Sequence, residues 1–88
     1  MKISDLLRTG AENATPLKHL QTITGMSNRA IRRMIEYERN HGTPICADNQ
    51  NGYFLPSSED EKDRFVRSMR HRAKEINATA DAIAVAEV

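Results

Sequence analysis

The chain has 88 residues, which is enough for one small domain and close to the lower limit for burying an adequate apolar core. Its 39% hydrophobic and 28% charged residues are typical of a folded, mainly helical domain and exclude a disordered chain. The formal net charge is only +1, so a surface for a polyanion would have to come from local clustering of cations rather than from the overall charge.

The sequence carries no pattern of an enzyme, a metal site or a membrane protein. The one cysteine, Cys46, has no partner for an internal disulfide, and the three histidines are scattered along the chain. No nucleophile–base pair, carboxylate pair or glycine-rich phosphate loop can be assembled. The first residues lack the apolar core of a signal peptide, and no apolar run reaches membrane-spanning length. We therefore expect a non-enzymatic intracellular protein without metal or cofactor.

A short amphipathic helix is predicted at the start of the chain. Ile3, Leu6 and Leu7 follow the spacing of one apolar helix face, so we expect a helix over residues 3–9. Gly10 would stop this helix, because glycine is a weak helix former. The polar stretch over residues 11–13 is expected to form a loop.

A second helix is predicted to begin at a threonine–proline pair. Thr15 is a favoured N-cap type, and Pro16 suits the first helical position because its missing N–H would have no partner there. We expect this helix to end by Gly25. Its core-facing residues are predicted to be Leu17, Leu20 and Ile23.

The third helix is predicted over residues 27–41. Ser27 is a favoured N-cap, and Gly42 is a natural stop just past the helix. Apolar residues at helical spacing mark the face that packs in the core, namely Ala30, Ile31, Met34 and Ile35. Because successive helical residues lie 100° apart, the opposite face is polar. This outward face comprises Arg29, Arg32, Arg33, Glu36 and Asn40. It could serve as a binding surface, and the alternative is a solvated face with Arg32 and Arg33 paired to Glu36 on the same helix.

A β-hairpin is predicted after the third helix. Two apolar runs, residues 43–47 and 53–55, bracket a polar tip over residues 48–52 that ends in Asn-Gly. Ile45 and Phe54, one from each run, are expected to join the core. The tip offers no cation for a polyanion.

A long helix is predicted from Ser58 to about Ala86. Ser58 and Glu61 form the pattern of a capping box, and nothing after them breaks a helix. Apolar residues alternate three and four apart, as in a heptad stripe, although two of the six are alanine. They are Val66, Met69, Ala73, Ile76, Ala80 and Ile83.

Such a stripe requires a partner, because an isolated helix of this kind is marginal in water. Phe65 and Val66 are expected to anchor the helix on the rest of the chain. The remainder is predicted to form a homodimer, with packing within the chain as the alternative. The predicted dimer interface comprises Met69, Ala73, Ile76, Ala80 and Ile83.

The same helix carries the densest positive charge of the sequence. Residues 64–74 contain four arginines, one lysine and no acidic residue. They predict a second phosphate-binding surface formed by Arg64, Arg67, Arg70 and Lys74. The alternative is pairing within the helix, such as Asp60 with Arg64 and Asp63 with Arg67.

The order helix, glycine turn, helix and hairpin is that of a winged helix-turn-helix. The Gly25-Met26-Ser27 turn, the helix after it and the Gly52-Tyr53-Phe54-Leu55-Pro56 run together resemble the DNA-binding domain of the biotin-repressor type, which occurs in small phage and prophage proteins. The resemblance covers about residues 14–56. It implies a winged helix-turn-helix domain over residues 1–56, which is mostly α with a small β-hairpin wing. A long basic helix over residues 57–88 follows this domain.

The resemblance predicts a DNA-binding transcriptional regulator that places helix 27–41 in the major groove of double-stranded DNA. It implies DNA contacts by Ser27, Asn28, Arg29, Arg32 and Arg33. Arginine pairs with guanine edges and phosphates, and asparagine with adenine edges, so the residue types also favour Asn40. The expected location is the cytoplasm of a bacterial or phage-infected cell. The alternative function is a phage-type adaptor or inhibitor that binds a protein partner through the winged fold and the basic helix.

Two features depart from the family pattern. Glu38 stands where such domains have a core leucine, and the helical count places it on the inward face. We expect either that Tyr37 takes its place or that the carboxylate reaches solvent at the helix edge. The uncharged and acidic hairpin tip, residues 48–51, makes a DNA contact by the wing doubtful.

Overall fold

A computed structural model describes residues 1–87 of the chain. The chain is mostly helical, with one two-stranded antiparallel hairpin and a long C-terminal helix, which confirms the predicted fold class. Two 3₁₀ helices, Ile3–Leu6 and Ala11–Asn13, precede the main elements. These are α1 (Leu17–Thr24), α2 (Asn28–Asn40), β1 (Cys46–Asp48), β2 (Gly52–Phe54) and α3 (Glu59–Ala84).

The turn between α1 and α2 has the predicted chemistry. Gly25 adopts the left-handed conformation (φ 70°), and its N–H donates to the carbonyl of Gln21. The hydroxyl of Ser27 then accepts from the backbone N–H of Ala30 at 3.1 Å, as an N-cap does. Gly25 ends α1 and Ser27 begins α2, so the two caps define where α2 starts.

The core joins the first 3₁₀ helix, α1, α2 and the hairpin. Its buried cluster consists of Ile3, Leu7, Leu20, Ile31, Ile35 and Ile45, and Phe54 is buried as well. The prediction for Ile23 is wrong, because its side chain is 50% exposed. The core side of α1 is centred on Leu17, Leu20 and Thr24, and Ile23 lies roughly 90° around the helix from it.

The segment before α1 pairs with the hairpin, which corrects two predictions. The N–H of Gly10 donates to the carbonyl of Leu55, and the N–H of Leu55 donates to the carbonyl of Arg8. The backbone of this segment is therefore paired with Leu55, and the predicted helix over 3–9 is only the 3₁₀ helix Ile3–Leu6. The expected loop after Gly10 is the second 3₁₀ helix.

Thr15 and Tyr53 exchange backbone hydrogen bonds of 2.7 and 2.9 Å. Thr15 is therefore paired to β2 and is not the N-cap of α1. Pro16, expected as the first helical residue, occupies the cap position with ψ 149°.

The predicted hairpin is present, although β1 begins later than expected. Cys46 pairs with Phe54, Ala47 with Tyr53 and Asp48 with Gly52. The N–H of Ile45 donates to the carbonyl of Thr43 in a tight turn, so the run at 43–45 is not part of the strand.

The N-terminus of α3 is fastened by Ser58 and Glu61. The hydroxyl of Ser58 accepts from the N–H of Glu61 at 3.1 Å, which is half of the predicted capping box. The carboxylate of Glu61 does not return to Ser58. It accepts from the N–H of Ser57 at 2.8 Å and from the N–H of Ala11 at 3.3 Å, so it ties α3 to the second 3₁₀ helix.

Only the first part of α3 touches the rest of the chain. Phe65 and Val66 are half-buried, which confirms the predicted anchor, whereas residues 67–84 are exposed throughout. The helix ends at Ala84, two residues before the predicted end. No helix within residues 1–87 has the length and apolar character needed to cross a membrane.

Candidate functional site

The outward face of α2 is a polar surface on a helix that the core holds in place. Ile31, Ile35 and Glu38 are buried on one side of the helix. The residues predicted for the opposite side are all exposed: Arg29, Arg32, Arg33, Glu36 and Asn40. Because the buried side is fixed against three other elements, the outward face is presented in one orientation.

The arginines of this face have no acidic partner among the residues that the structure describes. The two ion pairs within residues 1–87 join Lys62 to Glu59 at 2.7 Å and His71 to Glu75 at 2.9 Å. Pairing of Arg32 or Arg33 with Glu36 is therefore absent from the described residues, and so are the pairs of Asp60 with Arg64 and of Asp63 with Arg67. The three guanidinium groups of the outward face, on Arg29, Arg32 and Arg33, keep their donors for an external acceptor.

The start of α2 adds backbone donors to the same surface. Ser27 and Asn28 are exposed, and the first-turn N–H groups of a helix lack partners within the helix. The cap formed by Ser27 satisfies one of them, and the positive end of the helix dipole points outward there. Such a terminus is suited to an anion.

Glu38 holds α2 to the start of the chain. Its side chain is 5% exposed, and its carboxylate accepts from the N–H of Ile3 at 2.7 Å and from the N–H of Ser4 at 3.0 Å. Both expectations for this residue are wrong: the carboxylate does not reach solvent, and Tyr37 is 63% exposed. A carboxylate on the core side of α2 is tolerated because it accepts hydrogen bonds from two otherwise free N–H groups of the first 3₁₀ helix.

Arg39 was missed by the sequence patterns, yet it joins three elements. Its Nε donates to the carbonyl of Ile45 at 2.7 Å, and its guanidinium lies 5.1 Å from the ring centre of Phe65 and 6.0 Å from that of Tyr53. Burial lowers the pKa of Arg39. The residue thus packs α2, the hairpin and α3 against one another.

A groove of about 1010 Å³ lies between α2, the hairpin and α3. Four cations from two helices line it, together with the carboxylates of Glu36 and Asp48, and we call it the basic groove. The cations are Arg32, Arg39, Lys62 and Arg72. Lys62 and Arg72 were not predicted, although they share one helix face with Phe65. Their spacing from this anchor residue was the signal that could have found them.

The predicted second phosphate-binding set lies elsewhere on α3. Arg64, Arg67, Arg70 and Lys74 are exposed, and none lines the groove. At 100° per residue they fall on a side of the helix that points away from the basic groove. The structure therefore separates them from the outward face of α2.

The hairpin tip has no cation, as the sequence indicates. Asn49, Gln50 and Asn51 are exposed. The carboxylate of Asp48 accepts from the N–H of Gln50 at 2.8 Å and from Nδ2 of Asn51 at 3.2 Å, so these residues stabilise the turn.

Cys46 has the features of a core residue rather than a nucleophile. Its side chain is buried, and burial raises the pKa of its thiol. A raised pKa disfavours the reactive thiolate. Within residues 1–87, no group of three His, Cys, Asp or Glu side chains is close enough to hold a metal ion.

No protein family, no curated protein and no solved structure matches this chain.

Proposed function

We propose that this chain binds double-stranded DNA and that α2 is its recognition helix, in the manner of a winged helix-turn-helix of the biotin-repressor type. The observation that carries the proposal is the outward face of α2, on which three arginines are exposed without an acidic partner among residues 1–87. A helix of this length, about 20 Å, fits lengthwise in a major groove. Part of this face borders the basic groove, because Arg32, Glu36 and Asn40 also line it.

The roles follow from the position of each side chain along α2. Ser27 and Asn28 lie at the helix start, where backbone N–H groups face a phosphate. Arg29, Arg32 and Arg33 divide between phosphates and guanine edges. Asn40, three turns further on, reaches an adenine edge or a neighbouring phosphate.

The hairpin supports α2 in this proposal and does not contact DNA. Its tip carries Asp48 and three uncharged residues, none of which attracts a phosphate. Specificity then comes from α2 alone. A transcriptional regulator of phage or prophage type, acting in the bacterial cytoplasm, is the role that such a domain fits.

The test compares two triple variants that remove the same charge. The first is Arg29→Ala/Arg32→Ala/Arg33→Ala on α2, and the second is Arg64→Ala/Arg67→Ala/Arg70→Ala on α3. All six side chains are exposed, so both variants should fold, which circular dichroism checks. Titration of a labelled random duplex at low salt should show at least a tenfold loss of affinity for the first variant and a smaller loss for the second.

Equal losses in both variants would mean that charge alone drives binding, without a recognition helix. If the wild-type protein does not bind duplex DNA even at low salt, the proposal is wrong. A protein partner bound equally well by the wild type and by the α2 variant would favour the adaptor function instead.

A further inference from the structure

The apolar stripe of α3 is uncovered along most of its length. Met69 is 43% exposed, Ile76 61% and Ile83 69%. Residues 67–84 form five turns of helix whose side chains are all exposed. A single helix of this kind gains too little from its own hydrogen bonds to be stable in water, and the apolar side chains therefore require a surface to pack on.

We propose that α3 pairs with α3 of a second copy of the chain, in antiparallel orientation. This pairing does not depend on DNA binding. It rests on the side-chain volumes along the stripe, on the charge distribution along α3 and on the position of the basic groove.

Side-chain volumes favour the antiparallel orientation. The stripe alternates Val66, Ala73 and Ala80 at one heptad position with Met69, Ile76 and Ile83 at the other. A parallel pair would place alanine opposite alanine and isoleucine opposite isoleucine, so that empty and crowded layers alternate.

An antiparallel pair instead places a large side chain opposite a small one. We choose the register in which the largest number of stripe residues face a residue of the other size. In this register, Ala73 packs on the partner's Ile76 and Met69 packs on the partner's Ala80. With their two symmetry-related copies, these contacts give four levels along the pair at which one large residue faces one small residue. This gives an even spacing between the helices.

The charges of α3 favour the same orientation. Residues 64–74 carry five cations and no acidic residue, whereas residues 75–87 carry three acidic residues and no cation. Parallel helices would bring the two basic halves together. Antiparallel helices bring each basic half against the partner's acidic half, and Asp81 approaches the partner's Arg70.

The basic groove continues the stripe and provides room for the end of the partner helix. Met69 belongs both to the stripe and to the lining of the groove, and Arg72 lies beside it. The proposed register brings the partner's Ala80 and Ile83 to this position. The C-terminal end of a helix carries a partial negative charge, which suits a groove whose lining has four cations against two carboxylates.

Light scattering on two lysine variants tests whether the stripe is the interface. Ile76→Lys puts a charge in the centre of the stripe, and Ala78→Lys adds the same charge on the opposite side of α3. Both positions are exposed, so neither change affects the core. The wild type and Ala78→Lys should have the mass of a dimer, and Ile76→Lys that of a monomer with reduced helicity. A monomeric wild type at 0.2 mM protein, a concentration roughly 200-fold above a micromolar Kd, would overturn the proposal.

Spin labels test the orientation, on a Cys46→Ala background. In the antiparallel register, labels at Ser68→Cys in both copies lie about 20 Å apart along the axis, and so do labels at Ala82→Cys. In mixed dimers that pair one Ser68→Cys copy with one Ala82→Cys copy, the two labels lie nearly side by side. Short distances in the mixed dimers and long ones in the two self-paired samples support the proposal. The reverse pattern means parallel helices and overturns it.

Discussion

The carboxylate of Glu38 is a buried charge that substitutes for missing backbone acceptors. The first two N–H groups of the 3₁₀ helix Ile3–Leu6 have no partner within the helix, and Glu38 accepts from both. Replacing it by leucine would add apolar volume but leave two donors unsatisfied. We expect Glu38→Leu to lower the free energy of unfolding by about 2–3 kcal/mol, measured by urea denaturation.

Glu36→Leu is the matched control for this change. The two glutamates lie on the same helix, but the side chain of Glu36 is exposed and makes no hydrogen bond within residues 1–87. Its replacement should alter the unfolding free energy by less than about 0.5 kcal/mol. If Glu38→Leu is as stable as wild type, the carboxylate does not hold the start of the chain to α2.

Gly52 is required by a close approach of two backbones. It has φ 109°, and a Cβ on it would overlap the carbonyl of Thr15 and lie 2.7 Å from the Cα of Pro16. Gly25 also has a positive φ, but a Cβ there would meet nothing within 4 Å. We expect Gly52→Ala to cost about 3 kcal/mol and Gly25→Ala about 1 kcal/mol in thermal denaturation. Similar losses in the two variants would mean that β2 does not lie against Thr15.

At the scale of elements, Glu61 makes the attachment of α3 sensitive to acid. Hydrogen bonds from the backbone at Ser57 and Ala11 hold the pKa of its carboxyl below the ordinary glutamate value. The stability that this shift contributes is fully present above the unfolded pKa, about 4.3, and is lost as the pH falls through the lower folded value.

Substitution of Glu61 should therefore reduce the acid sensitivity of the protein. We expect Glu61→Gln to be less stable than wild type at pH 7 and to lose less stability between pH 7 and pH 3, in urea denaturation at each pH. Glu36→Gln, an exposed control, should follow the wild-type curve. A Glu61→Gln curve parallel to the wild-type curve would contradict a role for the carboxylate in fastening α3.

The elements that the sequence predicts well are those with local signals. The turn at Gly25, the cap at Ser27 and the hairpin each depend on residues close together in the chain, and all three are present. The exposure of Arg29, Arg32 and Arg33 follows from helical periodicity alone.

The errors arise where distant residues decide the structure. The helix predicted over residues 3–9 is shortened because Arg8 and Gly10 pair with Leu55, more than forty residues away. The burial of Glu38 depends on two N–H groups at the start of the chain. Arg39 was missed because its role depends on Phe65, which belongs to another element. Periodicity carries no information about such partners.

At the scale of the whole molecule, the two proposals can be combined. Antiparallel α3 helices would hold two copies of α2 at opposite ends of the pair, related by a two-fold axis, and such a dimer would bind a two-fold DNA site. The proposals can also fail separately. A monomeric protein that binds DNA would contradict only the proposed pairing of α3. A dimeric protein that does not bind DNA would contradict only the proposed function.

The salt dependence of DNA binding is the most direct test of the recognition helix. The logarithm of the association constant is plotted against the logarithm of the salt concentration for the wild type and for Arg29→Ala, Arg32→Ala and Arg33→Ala singly. The wild type should give a steep negative slope, and each arginine that contacts a phosphate should make it shallower by about 0.9 when removed. A slope near zero, or one unchanged in all three variants, would contradict DNA binding through α2.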